Sequence, residues 1–219
     1  MSSSVKGVCH IVGAGQFRDE AFQPRHGDYV IAADAGYLHL KRLGTEPDMI
    51  LGDFDSLCAQ PSHPNVVRLP VEKDDTDTLY AVKLGLELGY RYFALHGVLG
   101  GERIDHTVAN LQTLVYLTLR GARGWIFGPG DTVITALNND SLTFSPENRG
   151  ILSVFCVGER AEGVTLTGLK YPLDRYTMTC DVPIGVSNAF TGVPASVKVE
   201  EGTLLVFWHD KCFVPEAGE

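Results

Sequence analysis

Apolar residues gather in short runs along the first half of the chain, at residues 8–12, 29–33, 49–51, 66–69, 92–95 and 125–127. Runs of this length, bounded by glycine or polar residues, predict strands buried on both faces, as in a parallel sheet. Between them, residues 36–43, 76–88 and 105–120 carry apolar side chains at helical spacing, such as Leu79, Val82 and Leu86, or Val108, Leu111 and Val115. Strands that alternate with helices predict a doubly wound, mostly parallel α/β domain whose ligands bind at the carboxyl ends of its strands.

After Gly128-Pro129-Gly130 the pattern changes to short segments rich in Val, Thr and Leu, separated by Gly, Pro, Asn and Asp, with no helical period. Such spacing predicts an all-β sandwich. The expected organisation is therefore an α/β domain at residues 1–129 and a β-sandwich domain at 130–219. Within the second, residues 196–200 and 203–208 flank Glu201-Gly202, which reads as a hairpin turn.

Composition narrows the partners. The 219 residues are 44% hydrophobic and 21% charged, as in ordinary globular proteins, and carry a net charge of -9 with no Lys/Arg block. Neither nucleic acid nor an anionic membrane is an expected partner. No apolar run approaches the roughly 20 residues of a spanning helix, and residues 1–15 lack a signal-peptide pattern. A cytoplasmic location is expected. Five scattered cysteines without a CxxC pair read as free thiols, and no histidine stands at zinc-ligand spacing to a cysteine.

The candidate chemistry lies where the predicted strands end. Asp53 and Asp55 follow an apolar strand; in extended backbone they point the same way while Phe54 turns into the core. Two such carboxylates repel unless a cation lies between them, and Mg²⁺ takes such oxygen ligands. Lys73-Asp74-Asp75-Thr76-Asp77 precedes a helix, where Asp and Thr serve as caps, yet the density of carboxylates behind a lysine also suits a metal and a phosphate. Gly100-Gly101-Glu102-Arg103-Ile104-Asp105-His106 closes a strand and opens a helix, with Asp105 as a cap or Arg103 as a planar cation for phosphate. Asp34 ends another strand. Gly13-Ala14-Gly15-Gln16 is only a fragment of a dinucleotide fingerprint, and NAD is given little weight.

Taken together, ADAG at 33–36, PDMILGDFDS at 47–56, KDDTDT at 73–78, GGERIDHTVAN at 100–110 and GVSN at 185–188 resemble the thiamine pyrophosphokinase (thiamine diphosphokinase) family. Ala35 departs from it, since the family often has a second glycine there. The resemblance implies an ATP-binding α/β domain, a C-terminal β-sandwich that binds thiamine, and a homodimer with its sites where the subunits meet. It implies Mg²⁺ on Asp53, Asp55 and Asp77, and phosphates held by Lys73 and Arg103. Asp34, Asp74, Thr76, Asp105 and Asn110 would complete the pocket, and Ser187 with Asn188 would contact thiamine. The implied reaction moves the pyrophosphoryl group of ATP to the thiamine hydroxyl, giving thiamine diphosphate and AMP. Two other readings stay open: a metal-dependent phosphohydrolase with Asp53 as nucleophile, which usually has a threonine where this chain has Leu57, and a non-catalytic nucleotide or thiamine sensor.

Overall fold

The computed structural model describes residues 6–54, 63–70, 74–101 and 103–218. The chain forms two compact units: Met1–Pro129 together with Cys212–Glu219, and Gly130–Lys211.

The first unit carries β1 (Val8–Val12), β2 (Tyr29–Ala33), β3 (Met49–Gly52), β4 (Val66–Arg68), β5 (Tyr92–His96) and β6 (Arg123–Phe127), with helices α1 (Tyr37–Leu43), α2 (Asp77–Glu87) and α3 (Ile104–Thr118). The strands lie in the order β4-β3-β2-β1-β5-β6, and every pairing between them is parallel. β1 is buried along its whole length, and Ile11, Ile31, Leu51, Phe93, Leu95 and Ile126 are fully inside. This coverage is why the sequence shows short apolar runs rather than alternation. From β1 the chain continues to β2 on one side, whereas β5 continues to β6 on the other. The strand order thus reverses between β1 and β5, which opens a crevice beyond their carboxyl ends.

Local signals set the helix ends. α1 stops where Gly44 takes a left-handed conformation at φ 66°, its N–H bonded to the Lys41 carbonyl. At α2 the Thr76 hydroxyl accepts the Leu79 N–H at 3.2 Å, a standard N-cap. α3 begins one residue earlier than its apolar period suggests. Its cap position is Arg103, which caps with no side-chain bond, so Asp105 lies inside the first turn and is not the cap.

The second unit holds β7 (Thr132–Asn138), β8 (Ser141–Phe144), β9 (Ile151–Thr167), β10 (Leu173–Thr179), β11 (Asn188–Ala189), β12 (Ala195–Lys198) and β13 (Glu201–His209), all paired antiparallel. The 17-residue β9 pairs with β13 and β11 through its first half, then with β10 and β12 through its second. Its passage from one set of partners to the other occurs around Gly158 and Gly163, both at positive φ. Val154, Ala161, Val164, Val197, Leu204 and Val206 are buried along these strands.

One expectation is overturned here. β12 and β13 do not form a hairpin, because β9 runs between them. Gly202 sits in β13 at φ 104°, where a Cβ would lie 2.9 Å from the Arg160 carbonyl oxygen. The β13–β9 register slips between Glu201 and Thr203, so the glycine serves a bulge against β9 instead of a tight turn.

Candidate active site

A cavity of about 700 Å³ opens at the carboxyl edge of the first unit's sheet. Two backbone loops form its floor. Beyond β1 and β5 the chain keeps pairing: Gly13 N–H donates to the His96 carbonyl at 2.8 Å, Gly15 N–H to that of Gly97 at 2.6 Å, and Gln16 N–H to that of Leu99 at 2.8 Å. Gly97 adopts φ 63°, and a Cβ on it would collide with the Gly13 carbonyl oxygen. Glycines thus let two main chains close together and bare their backbone to the cavity.

Below the floor, His96 is buried with its ring stacked on Phe127, 4.7 Å between centroids. Its Nε2 meets His10 Nδ1 at 3.2 Å, and His10 Nε2 meets Asp28 Oδ2 at 3.2 Å. Burial, with His10 and Arg18 nearby, holds the His96 pKa well below that of a free imidazole. His96 is therefore neutral at neutral pH.

Carboxylates enter from strand ends. Asp34 lines the cavity at φ 50°, in a 3-10 turn directly after β2. Its Cα rests over Gly52, where a Cβ would approach it to 2.9 Å. Asp53 lines the same cavity just after β3. The next residue, Phe54, is buried against Val12, Ala32, Leu40 and Ile50, as its apolar character predicts, but it adopts φ 62°. Extended backbone ends at Gly52, so the alternation argument for Asp53 and Asp55 does not carry through Phe54. Asp55 and Lys73 lie outside the described residues. Left-handed non-glycine residues such as Asp34 and Phe54 cost about 1–2 kcal/mol each and persist only where surrounding packing fixes them.

The start of α2 brings Asp75, Thr76, Asp77 and Thr78 to the cavity, but not Asp74. Asp75 is held by Lys83 Nζ at 2.6 and 2.8 Å to its two oxygens. The start of α3 brings Arg103, His106, Thr107 and Asn110. Arg103 Nε donates to Asp105 Oδ1 at 2.9 Å, and this contact pushes the Asp105 pKa down to about 2. Asp105 itself is exposed and does not line the cavity; it fixes the guanidinium that does. Asn110 is buried and donates from Nδ2 to the Val98 carbonyl at 2.6 Å, tying α3 to the loop after β5.

Ser187 and Asn188 belong to the second unit. Asn188 accepts the Tyr171 N–H at 2.9 Å on its side-chain oxygen and donates to the Tyr171 carbonyl at 2.7 Å. Its amide is committed to that main chain. Ser187 is exposed at φ 59°, with its N–H on the Ser153 hydroxyl at 3.1 Å.

Sequence reasoning names Asp75 only within its cluster, since spacing does not distinguish it from Asp74, gives Gly13 and Gly15 no part in the site, and passes over Gly97. The Gly-Ala-Gly after β1 is the available signal for the floor, although as a dinucleotide fingerprint it is only a fragment. A donor set of carboxylates suits a hard cation. Among the described residues no three such groups converge on one point. Mg²⁺ is usually held by one or two carboxylates, with waters and substrate phosphates in its other positions, so Asp53 and Asp77 on one cavity fit it.

A parallel sheet whose strand ends gather glycine backbone, two helix N-termini and carboxylates around one cavity defines an α/β enzyme. Comparison with known proteins is specific. Residues 24–125 match the family model described as thiamin pyrophosphokinase, catalytic domain, and residues 141–204 the one described as thiamin pyrophosphokinase, vitamin B1 binding domain. The thiamine pyrophosphokinase of Bacillus subtilis (strain 168) is 28% identical over 191 residues, covering 80% of this chain and 85% of that protein. The solved thiamin pyrophosphokinase of Geobacillus thermodenitrificans superposes with a TM-score of 0.79 at 28% identity, covering 93% of this chain and 97% of the other. The Bacillus subtilis structure gives 0.82 at 24% identity, covering 92% and 98%. The chain belongs to the thiamin pyrophosphokinase family.

Proposed function

We propose that this chain is a Mg²⁺-dependent thiamine diphosphokinase that binds ATP in the 700 Å³ cavity. The hydroxyl oxygen of thiamine attacks the β-phosphorus, an O–P bond forms, the bond from the β-phosphorus to the bridging oxygen breaks, and AMP leaves. The hydroxyl proton passes to a nearby carboxylate. The observation that carries this reading is the gathering of Asp53, Asp77, Arg103 and the glycine floor on one cavity at the strand-order reversal.

In this reading the glycine floor lets phosphate approach the main chain closely, the N-termini of α2 and α3 bind phosphate oxygens, and Arg103 and Lys73 neutralise them. Asp105 keeps Arg103 oriented, and Asn110 keeps the loop after β5 in place. Asp34 and Thr76 complete the pocket wall, Thr76 by capping α2 and so fixing the position of Asp77; Asp74, which does not line the cavity, is left out of it. Asp53, Asp55 and Asp77 hold Mg²⁺, which when bound supplies positive charge to polyphosphate oxygens and the leaving AMP. Ser187 offers its exposed hydroxyl to thiamine, while Asn188 acts by holding Tyr171.

The domain division follows the same reading, with the second boundary moved from 219 to 211 because Cys212–Glu219 belong with the first unit: a doubly wound catalytic domain at 1–129, and a β-sandwich at 130–211 that binds thiamine and forms a homodimer with sites shared between subunits. Exposed Val182, Ile184 and Val186 in the second unit support a buried interface there. No described helix is long and apolar enough to cross a membrane; a cytoplasmic location belongs to the same proposal. The deciding experiment incubates the protein with Mg-ATP and thiamine and identifies the adenine product. AMP formed with thiamine supports pyrophosphoryl transfer. ADP overturns it in favour of single phosphoryl transfer, and nucleotide loss without thiamine overturns it in favour of hydrolysis.

A further inference from the structure

A second cavity, of about 370 Å³, lies where the later turns of α2 and α3 meet, away from the strand ends. It is lined by Lys83, Leu86 and Glu87 of α2, Arg91 just beyond that helix, Tyr116 of α3, and Arg120 just beyond it. Three cations and one carboxylate thus face one concavity on a chain whose net charge is -9. Elsewhere in the unit Arg25, Arg42 and Arg103 sit within 4 Å of carboxylates. Neither Arg91 nor Arg120 does so among the described residues.

Both guanidiniums are fixed without being used up. Arg91 Nη1 donates to the Leu86 and Tyr90 carbonyls at 3.2 and 2.8 Å, at the end of α2. Arg120 Nη1 donates to the Tyr116 carbonyl at 3.2 Å, and its Cζ lies 3.4 Å from the centroid of the Tyr116 ring. In each, Nε and Nη2 keep their donors for another acceptor. Neutralising a helix C-terminus would explain one such contact at each helix. It does not explain why both arginines and Lys83 line the same cavity.

We propose that this cavity binds a compact polyvalent oxyanion, of the diphosphate class, between Lys83, Arg91 and Arg120. Planar guanidiniums held by main chain and by an aromatic face match phosphate oxygens through paired donors. The cavity is wired to the large one by a single ion pair. Lys83 grips Asp75, and Asp75 lines the large cavity. An anion that draws Lys83 toward itself loosens Asp75 at the edge of the catalytic cavity, so occupancy of one cavity alters the charge presented to the other. The binding claim is independent of the reaction proposed above.

Calorimetric titration of inorganic diphosphate into the full chain in metal-free buffer tests it, with circular dichroism confirming that each variant is folded. An Arg91→Gln/Arg120→Gln double variant should bind about tenfold more weakly or worse, as expected for losing charge-assisted contacts. Arg103→Gln, in the large cavity, should leave intact the binding component that the double variant loses. Asp75→Asn should tighten it, because Lys83 no longer has a competing partner. The single variants Arg91→Gln and Arg120→Gln serve if the double variant does not fold. Absence of binding, binding lost in Arg103→Gln but kept in the double variant, or an unchanged isotherm in Asp75→Asn would each overturn the proposal.

Discussion

The side-chain amide of Asn110 donates to the main-chain carbonyl of Val98 at 2.6 Å, joining the first turns of α3 to the glycine loop after β5. Both partners are buried, so Asn110→Ala leaves that carbonyl without its donor and should cost about 1–3 kcal/mol in urea unfolding. Because the same loop forms the floor, the KM for ATP should rise as well. Unchanged stability together with unchanged KM would show that the loop holds its shape without Asn110.

Gly97 and Gly101 make a matched pair. Alanine at Gly97 meets both a left-handed backbone and the Gly13 carbonyl, so it should lose at least about 1–2 kcal/mol and most activity. At Gly101 a Cβ meets nothing within 4 Å, and alanine there should stay within about 0.5 kcal/mol of the parent. Thermal denaturation of the two variants side by side reads the difference.

For the carboxylates, Asp53→Asn and Asp77→Asn preserve shape and remove charge. Turnover should fall by about a hundredfold or more while the melting temperature stays near that of the parent. Full activity at saturating Mg²⁺ would remove either residue from the metal site.

Arg103→Lys replaces a planar fork, held by Asp105, with a point charge. The KM for ATP should rise by about tenfold with little change in that for thiamine. Steady-state kinetics with each substrate varied in turn separates the two.

Stability should fall with acid through His96. The native pKa is depressed, so below the unfolded value of about 6.5 the unfolded chain binds a proton that the native chain refuses. Stability from this group is complete above that pH and is lost as pH drops toward the native value, with a slope of up to about 1.4 kcal/mol per unit. Urea midpoints measured between pH 7.5 and 5.5 should show this decline, and His96→Leu should flatten it. Equal declines in the two proteins would exclude His96 as the source.

The parallel strands are legible in the sequence because helices and loops cover both faces, leaving apolar runs with no polar alternation to confuse them. Asp34, Asp53, Asp77 and Arg103 are legible as a group because each stands at a strand end or helix start. What escapes is anything decided by tertiary partners. Asp74 and Asp75 are neighbours of equal chemistry, and only the distant Lys83 marks one of them out. Glu201-Gly202 suits a turn or a bulge equally well, and the intervening β9 decides between them. Asn188 looks like a ligand contact until Tyr171 takes both ends of its amide. Phe54 is rightly assigned to the core, yet its left-handed backbone follows from packing against Val12 and Ile50, which local propensity does not encode.

The membership of Cys212–Glu219 in the first unit bears on the order in which the molecule can be built. Phe213 lies against Trp125 and Phe127, the aromatic residues of β6. During synthesis those rings emerge long before their cover, and the whole of the second unit is made in between. The nascent first unit therefore holds these rings without that cover until Phe213 follows. A chain cut short at residue 211 would keep both sets of strands yet leave Trp125 and Phe127 without that ring.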